Sequence, residues 1–229
     1  MPAAGIGNRF DSDNSKQYSK INNKTILEFS LELFLQMNEC LNICVAVSKN
    51  DDNWKELSIS NNKRVNFVAG GSSRLESVKL ALEFIKSLED QSETILIHDA
   101  VRPCITLADI KRVTEEMSKD IYDGVVSAIQ VVDTLKYSKD SDRLIEKTVS
   151  RDNLWRALTP QVFNKEILVR AFKDINNFDG PYTDESSLVE TISDKIKIIE
   201  TNGDNIKITY FEDMKTAKSI LLSQGRISA

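Results

Sequence analysis

The first sixteen residues hold several groups that could bind and activate a phosphate compound. Residues 1–9 read Met-Pro-Ala-Ala-Gly-Ile-Gly-Asn-Arg, a small-residue segment that ends in a cation, and Lys16 follows a short polar stretch. Backbone N–H groups without bulky neighbours can approach an anion closely and form a nest that suits a triphosphate. Arg9 and Lys16 would supply the mobile positive charge that phosphoryl chemistry needs. The spacing fits neither a Walker A loop nor a dinucleotide fingerprint, and a small-residue loop can also simply turn the chain.

A second candidate group follows an apolar, strand-like run. Residues 98–103 read His-Asp-Ala-Val-Arg-Pro, which places Asp99 and Arg102 directly after that run. A carboxylate there is well placed to hold Mg²⁺, which proteins bind through one or two carboxylates together with substrate phosphates. The alternative is that Asp99 only caps the following turn, and the nearby Arg102 favours a binding site.

The elements that must position these groups alternate between strands and helices. Strands are predicted at 43–47, 65–69, 94–98, 124–129, 195–200 and 206–209, and helices at 25–37, 74–88, 107–118, 165–175, 184–192 and 211–222. Such alternation indicates an α/β fold with right-handed crossovers and a mostly parallel sheet. Residues 131–149 are typical of a projecting hairpin, and we interpret residues 1–229 as one domain.

Four polar segments fall at the ends of predicted strands, where open parallel sheets bind their ligands. They are residues 1–9, 70–74, 98–103 and 203–209. The fourth contains Lys207, which on pattern alone is more typical of a solvated surface charge.

Composition narrows the classes of partner. The chain has 229 residues, of which 41% are hydrophobic and 28% charged, as in an ordinary globular protein. Its formal net charge of −5 argues against a nucleic-acid or anionic-membrane partner. Three cysteines and a single histidine, His98, do not form a zinc pattern and suit a reducing compartment. No apolar run is long enough to span a membrane, so we expect a cytoplasmic protein.

Short motifs along the whole chain occur in the order and near the spacing of one enzyme family. They lie at residues 2–9, 16–18, 70–71 with Arg74 and Ser77, 98–103, 133–136, Arg151 with 154–155, 159–161, 183–185 and 204–207. In these segments the sequence resembles the 2-C-methyl-D-erythritol 4-phosphate cytidylyltransferases of non-mevalonate isoprenoid synthesis.

The resemblance implies a Rossmann-like nucleotidyltransferase sheet and a homodimer in which an arm at about 133–152 exchanges between subunits. It implies CMP transfer from CTP to 2-C-methyl-D-erythritol 4-phosphate, which releases pyrophosphate and forms 4-diphosphocytidyl-2-C-methyl-D-erythritol. The implied CTP-binding residues are Ala3, Ala4, Gly5, Gly7, Arg9, Lys16, Gly71, Ser72, Arg74, Ser77 and Ala100. The implied polyol-phosphate-binding residues are Asp99, Arg102, Thr134, Arg151, Thr159, Thr183 and Lys207, with Arg151 coming from the other subunit's arm. Asp99 would also hold Mg²⁺ or another divalent cation, and the implied catalytic residues are Arg9, Lys16, Arg151 and Lys207.

Three features depart from the family pattern. Ser15 stands where a proline is usual, and Ser72 stands where an aspartate is common. The relatives also carry roughly ten more residues before Met1, and these form a strand that is central in a doubly wound sheet. We therefore expect Met1 to Ala3 to supply only the end of that strand, and the natural protein to start upstream with an apolar segment.

Other functions are also compatible with part of the pattern. A ribitol-5-phosphate cytidylyltransferase would share the CTP half, as would an enzyme that activates a sialic or similar acid. Thr134, Arg151 and Thr183, with their neighbours, favour the methylerythritol type. An inert nucleotide-binding relative is a further alternative, which the joint presence of Arg9, Lys16, Asp99, Arg151 and Lys207 disfavours.

Overall fold

The computed structural model of the chain describes residues 1–5, 10, 15–88, 92–139, 142–174 and 182–228. The strands are β1 (Lys20–Ile21), β2 (Lys24–Thr25), β3 (Ile43–Val47), β4 (Val65–Ala69), β5 (Thr94–Ile97), β6 (Gly124–Gln130), β7 (Leu135–Ser138), β8 (Ile145–Val149), β9 (Trp155–Asn164) and β10 (Ile196–Glu200). The helices are α1 (Ile26–Leu35), α2 (Arg74–Lys86), α3 (Leu107–Met117), α4 (Lys165–Asp174), α5 (Glu185–Val189) and α6 (Asp213–Ser223). The predicted α/β class is confirmed.

The sheet is mixed and falls into two parts. One part has the strand order β10-β6-β9-β5, and the other is the parallel pair β3-β4. β9 runs antiparallel to both β5 and β6, whereas β10 and β6 are parallel. Pro2 forms a parallel bridge with Ala46, so residues 1–3 add only a strand end beside β3.

Local sequence explains the elements that carry the site. All five residues of β3 (Ile-Cys-Val-Ala-Val) are buried, as expected for a strand covered on both faces. Thr25 caps α1 in a reciprocal capping box with Glu28, which fixes the start of that helix. Val45 packs in a cluster with α1 and α3, while Cys44 packs with Ala81 of α2. Helices therefore cover the sheet on both sides.

The strand β9 was not predicted. It contains Pro160, and proline cannot donate to a strand ladder, so its sequence argues against a central strand. The ladder between β6 and β9 is irregular around this position, where Val126 pairs with Gln161 and Ala128 pairs with Ala157. The Ser127 hydroxyl donates to the Pro160 carbonyl at 2.8 Å. A bulge thus accommodates the proline.

Two boundaries predicted near the C-terminus are wrong. Residues 206–209 are irregular rather than a strand, although the Ile208 N–H donates to the Val101 carbonyl at 2.9 Å. Helix α5 is shorter than the predicted 184–192, because Asp184 serves as its N-cap and the regular helix ends at Val189. The other predicted helices and strands lie within a few residues of the observed ones.

The predicted hairpin is present as the antiparallel pair β7-β8. Nearly all of its residues are exposed, and Val132, Tyr137, Leu144 and Ile145 present apolar side chains to solvent. A two-stranded hairpin is at best marginally stable alone. Within the described part of the chain, no helix has the length and apolar character needed to cross a bilayer.

Candidate active site

Asp99 stands at the centre of a cluster of positive side chains just after β5. Its Oδ1 accepts from Nε of Arg74 at 2.9 Å, and its Oδ2 lies 2.9 Å from Nζ of Lys207. Nε of Arg102 lies farther from Oδ2, at 3.4 Å. Burial alone would raise the pKa of Asp99, but the Arg74, Lys207 and Arg102 charges hold that pKa far below its ordinary value. Asp99 is therefore an anion that holds three cations together.

Glu185 supports this cluster from the start of α5. Nη1 of Arg74 donates to both carboxylate oxygens of Glu185, at 2.7 and 2.8 Å, and Glu185 is 0% exposed. Burial raises the pKa of Glu185, and the Arg74 charge opposes that rise. Arg74 bridges the two carboxylates Asp99 and Glu185, so its guanidinium has little freedom to turn.

His98 and Thr159 lie behind the cluster and fix the backbone at Asp99. The Asp99 N–H donates to Thr159 Oγ1 at 3.0 Å, and Thr159 Oγ1 lies 3.0 Å from Nδ1 of His98. Nε2 of His98 lies 3.1 Å from the Arg102 carbonyl oxygen, which can only accept, so the proton must be on Nε2. Burial lowers the pKa of His98 to about 4, and the ring is neutral at pH 7. Thr159 thus positions Asp99 rather than facing solvent.

Asn205 connects the segment before Lys207 to the same cluster. Its backbone carbonyl accepts from Nη1 of Arg102 at 2.8 Å, and its Nδ2 donates to the Thr159 carbonyl at 2.6 Å. Asn205 is buried, whereas the Lys207 side chain is 40% exposed. The segment is therefore anchored at Asn205 and presents Lys207 at the rim of the site.

The predicted phosphate loop lies against the turn after β4. Nε2 of Gln17 donates to the Ala3 carbonyl at 2.8 Å, which places the neighbouring Lys16 beside the loop. A Cβ added to Gly70 would come within 2.6 Å of the Ala4 Cβ, so only glycine allows the two backbones to approach this closely. Gly5 is exposed at the open end of the loop. Ala4 therefore lies directly against the turn at Gly70.

The turn itself is held by serine hydroxyls. The Gly71 N–H donates to Ser77 Oγ at 3.1 Å, and Ser77 Oγ donates to the Ser73 carbonyl at 2.8 Å. Both the N–H and the hydroxyl of Ser72 donate to Glu76 at 2.6 Å. Ser77 is buried, so it shapes the turn, whereas Gly71 is half-buried and Ser72 is exposed.

Not every predicted site residue joins this cluster. Thr134 and Arg151 are exposed at the base of the hairpin, where Nη1 of Arg151 donates to the Val132 carbonyl. Thr183 is exposed just before α5.

Ala100 is buried, and its carbonyl accepts from Ser30 at 2.9 Å. Gly7 and Arg9 lie outside the described residues, so their predicted roles stay predictions.

The donor set fits Mg²⁺ only in the company of phosphate. Among the described residues no three acidic, histidine or cysteine side chains converge as a metal cage. Asp99 offers one carboxylate, and Lys207, which shares it, is partly exposed and able to move. One carboxylate is sufficient where substrate phosphates supply further oxygens, which is the usual way in which proteins hold Mg²⁺.

Sequence reasoning missed several residues that build the site. Residues 183–185 form one of the recognised motifs, but the sequence assigned no role to Glu185. Gln17 and Asn205 also had no predicted role. The signal for Glu185 in the sequence was a carboxylate at the start of a predicted helix, two residues after Thr183. Its partner Arg74 is 111 residues away in sequence, and the contact becomes visible only in three dimensions.

Comparison with known proteins identifies the family of the chain. Residues 1–223 match the family IspD, 2-C-methyl-D-erythritol 4-phosphate cytidylyltransferase. The chain belongs to this family. A 2-C-methyl-D-erythritol 4-phosphate cytidylyltransferase of Wigglesworthia glossinidia brevipalpis is 42% identical over 217 residues, covering 95% of this chain and 92% of the relative. One from Buchnera aphidicola is 40% identical over 190 residues, covering 83% and 78%.

The fold agrees as well. The crystal structure of the Francisella tularensis 2-C-methyl-D-erythritol 4-phosphate cytidylyltransferase matches with a TM-score of 0.80 and 32% identity, covering 96% of this chain and 97% of that one. The predicted family, nucleotidyltransferase fold and enzyme class are confirmed. Membership of the IspD family favours the methylerythritol reading over the ribitol alternative and over an inert relative.

Proposed function

We propose that this IspD family member joins CTP and 2-C-methyl-D-erythritol 4-phosphate at the cluster around Asp99. The observation that carries the proposal is the convergence of Arg74, Arg102 and Lys207 on one buried carboxylate. Two highly anionic reactants repel each other, and a site that brings them together must supply several positive charges. The net charge of the whole chain is −5, so these cations are gathered locally.

The nucleotide is placed by the two small-residue loops. Backbone N–H groups near Ala4 and Gly5 bind the triphosphate, with Lys16 beside them. The turn at Gly71 and Ser72 contacts the cytosine, where the neutral Ser72 hydroxyl takes the position at which the family commonly has aspartate. Because Ser77 and Glu76 already hold this turn, the contact surface is preformed.

The reaction is an in-line displacement at the α-phosphorus of CTP. A phosphate oxygen of the polyol phosphate forms the new bond to that phosphorus, the bond to the bridging oxygen breaks, and pyrophosphate leaves with its electron pair. The nucleophile is already an anion, so no general base is required, and the neutral His98 takes no proton. Lys207, at the rim, turns from Asp99 to the reacting phosphates and stabilises the charge that develops on them.

Asp99 would hold Mg²⁺ together with the phosphates of CTP. The metal would supply positive charge that offsets the charge of the phosphates. We therefore expect the chain alone to bind Mg²⁺ weakly, and the chain with CTP to bind it more tightly.

The polyol phosphate requires the second subunit of a homodimer. Thr134 and Arg151 lie at the base of an exposed hairpin whose apolar side chains need a cover. We place the hairpin of one subunit over the site of the other, which would bring its Arg151 to the substrate phosphate. Thr183, exposed before α5, binds the polyol from the same chain.

A pyrophosphate-release assay tests this function. We expect release from CTP with 2-C-methyl-D-erythritol 4-phosphate, dependence on a divalent cation, and much slower release with ribitol 5-phosphate. Faster release with ribitol 5-phosphate would reassign the substrate. No release with either polyol phosphate would reject the enzyme reading.

A further inference from the structure

The turn that carries Lys16 is too short to hold its own position. It is a single 3₁₀ turn, Lys16–Tyr18. Within it the Tyr18 N–H donates to the Ser15 carbonyl at 2.9 Å, and the Ser19 N–H donates to the Lys16 carbonyl at 3.1 Å. Such short helical segments are marginal in water, and 3₁₀ hydrogen bonds have poor geometry. The place of Lys16 in the molecule must therefore come from contacts outside the turn.

Two residues close to Lys16 are anchored to neighbouring elements. Gln17 is buried, and its Nε2 donates to the Ala3 carbonyl at 2.8 Å. The Ser19 carbonyl accepts from the first N–H of α1, that of Ile26, at 3.0 Å. These bonds fix the turn to the predicted phosphate loop on one side and to α1 on the other.

A further contact joins two side chains that are far apart in sequence. The Tyr18 hydroxyl donates to Oδ2 of Asp51 at 2.8 Å. Oδ1 of the same carboxylate accepts from the N–H and from Nδ2 of Asn53, both at 3.0 Å. Burial and the Asp51 hydrogen bond raise the pKa of Tyr18, so the phenol keeps its proton and donates at neutral pH. Asp51 is therefore an acceptor held in place by its own turn.

Asp51 lies at the edge of the sheet that carries the candidate site. It follows β3, whose last residue, Val47, accepts from the Gly70 N–H at 2.7 Å. Gly70 in turn lies against the predicted phosphate loop. The Tyr18 ring packs against the core cluster that contains Ala3 and Val47. The hydrogen bond from Tyr18 thus ties the lysine turn to a rigid part of the fold.

We propose that Tyr18 and Asp51 are positioning residues, which hold the backbone of Lys16 where its ammonium reaches the reacting phosphates. The inference rests on the proposed function, in which Lys16 binds the triphosphate of CTP. A lysine side chain is a flexible stem, so the reach of its ammonium depends on where its backbone lies. A misplacement of about 1 Å can cost on the order of 10²-fold in rate. Tyr18 and Asp51 act through Lys16 and not on the substrate.

Removal of the Tyr18 hydroxyl tests this role. Tyr18→Phe keeps the ring in its packing and loses the hydrogen bond to Asp51. We expect kcat for pyrophosphate release to fall roughly tenfold, the size set by one hydrogen bond to a charged acceptor, while KM for the polyol phosphate changes less than about twofold. Tyr122→Phe, at another partly buried tyrosine outside the site, is the matched control and should keep a normal kcat. Equal kcat in the two variants would overturn the proposal.

The acceptor should show the same effect. Asp51→Ala should lower kcat by a similar factor, whereas Asp52→Ala, at the exposed neighbour, should not. Because Tyr18 and Asp51 share one hydrogen bond, the chain with both Tyr18→Phe and Asp51→Ala should be about as slow as Asp51→Ala alone. If the two losses multiply, the residues act independently and the proposal is wrong.

A third comparison separates positioning from direct contact with the substrate. The residual pyrophosphate release of a Lys16→Ala chain gives the baseline. Adding Tyr18→Phe to that chain should change kcat by less than about twofold, since the group that Tyr18 positions is already absent. A further fall of roughly tenfold would mean that Tyr18 acts by another route and would overturn the proposal.

Hydrogen exchange gives a measurement that does not depend on turnover. In Tyr18→Phe the amides of residues 16–19 should exchange several-fold faster than in the parent chain, while those of β3 keep their rates. Unchanged exchange at 16–19 would overturn the proposal, whatever the activity. An absence of pyrophosphate release from the parent chain would instead reject the proposed function, and the exchange rates would still decide whether Tyr18 holds the turn.

Discussion

Glu185 accepts both of its hydrogen bonds in this site from the same atom, Nη1 of Arg74, at 2.7 and 2.8 Å. Nε of that guanidinium holds Asp99 at 2.9 Å. The buried helix α5 thereby determines where the charge of α2 lies relative to the end of β5. A single side chain connects three elements that carry the site.

The first prediction concerns that connection. Glu185→Gln removes the negative charge from the buried Glu185–Arg74 ion pair. It also replaces one of the two oxygens that accept from Nη1 of Arg74 with an NH₂ group, which cannot accept. Breaking one partner of such a pair costs on the order of 3 kcal/mol, and we expect the melting temperature to fall by roughly ten degrees. Differential scanning calorimetry measures the change. Glu190→Gln, exposed just beyond α5, is the matched control, and equal melting of both variants would contradict the argument.

The second prediction separates a reacting charge from a structural one. Lys207→Ala should lower kcat by about 10²–10³-fold, the usual cost of losing one donor aimed at developing charge. The melting temperature should barely change, because the side chain is 40% exposed and Asp99 keeps both arginines. Lys16→Ala should behave in the same way. Lys197→Ala, an exposed lysine on β10, serves as the control. A Lys207→Ala enzyme with normal kcat would remove that residue from the reaction.

The third prediction follows from the metal's donor set. Isothermal titration of Mg²⁺ into the chain alone should show weak binding or none, since Asp99 is its only proposed protein ligand and three cations surround it. Adding CTP should create measurable binding. Asp99→Asn should abolish this gain. Tight Mg²⁺ binding without CTP would show that the donor set has been misjudged.

Sequence patterns predicted most of the fold because most elements are locally consistent. The continuous apolar run of β3 and the capping box at Thr25 each point to the structure that forms. β9 was not predicted because Pro160 disfavours a strand when the local sequence is considered alone. The bulge opposite Ser127, which accommodates this proline, forms only in the assembled sheet.

The residues of the candidate site could also be predicted only in part. Asp99 and Arg102 could be predicted because both follow the same apolar strand. The small-residue loop could be predicted because its residues are consecutive in the sequence. Lys207 on pattern alone resembled a solvated charge, and only the family resemblance singled it out. The buried partners Glu185 and Asn205 contact residues roughly a hundred positions away, so periodicity carries no trace of them.

The fourth prediction tests the exchanged arm. If Arg151 acts in the other subunit's site, Arg151→Ala and Lys16→Ala are each inactive alone, but a mixed dimer contains one site with both residues intact. Refolding the two variants together in equal amounts should restore up to about one quarter of normal activity. Pyrophosphate release from each variant alone gives the baseline. If mixing restores nothing while a tagged pull-down shows that mixed dimers form, Arg151 acts within its own chain or not at all.

The last prediction is a pH dependence that comes from His98. In the unfolded chain this histidine takes up a proton near pH 6.5, whereas burial lowers the pKa in the folded protein to about 4. Between these values the unfolded state binds more protons, so stability falls as the pH drops from about 6.5 to 4. The loss due to this group is on the order of 3 kcal/mol. Denaturant unfolding at pH 7, 5.5 and 4.5 measures it.

A variant isolates the contribution of His98 from that of the carboxylates. His98→Asn keeps an acceptor toward Thr159 but does not titrate, so it should be less stable than the parent at pH 7 and should lose less stability on acidification. The carboxylates titrate alike in both chains, and the difference between the two pH profiles therefore reports the histidine. Parallel profiles from pH 7 to 4.5 would mean that His98 is not held neutral by the fold.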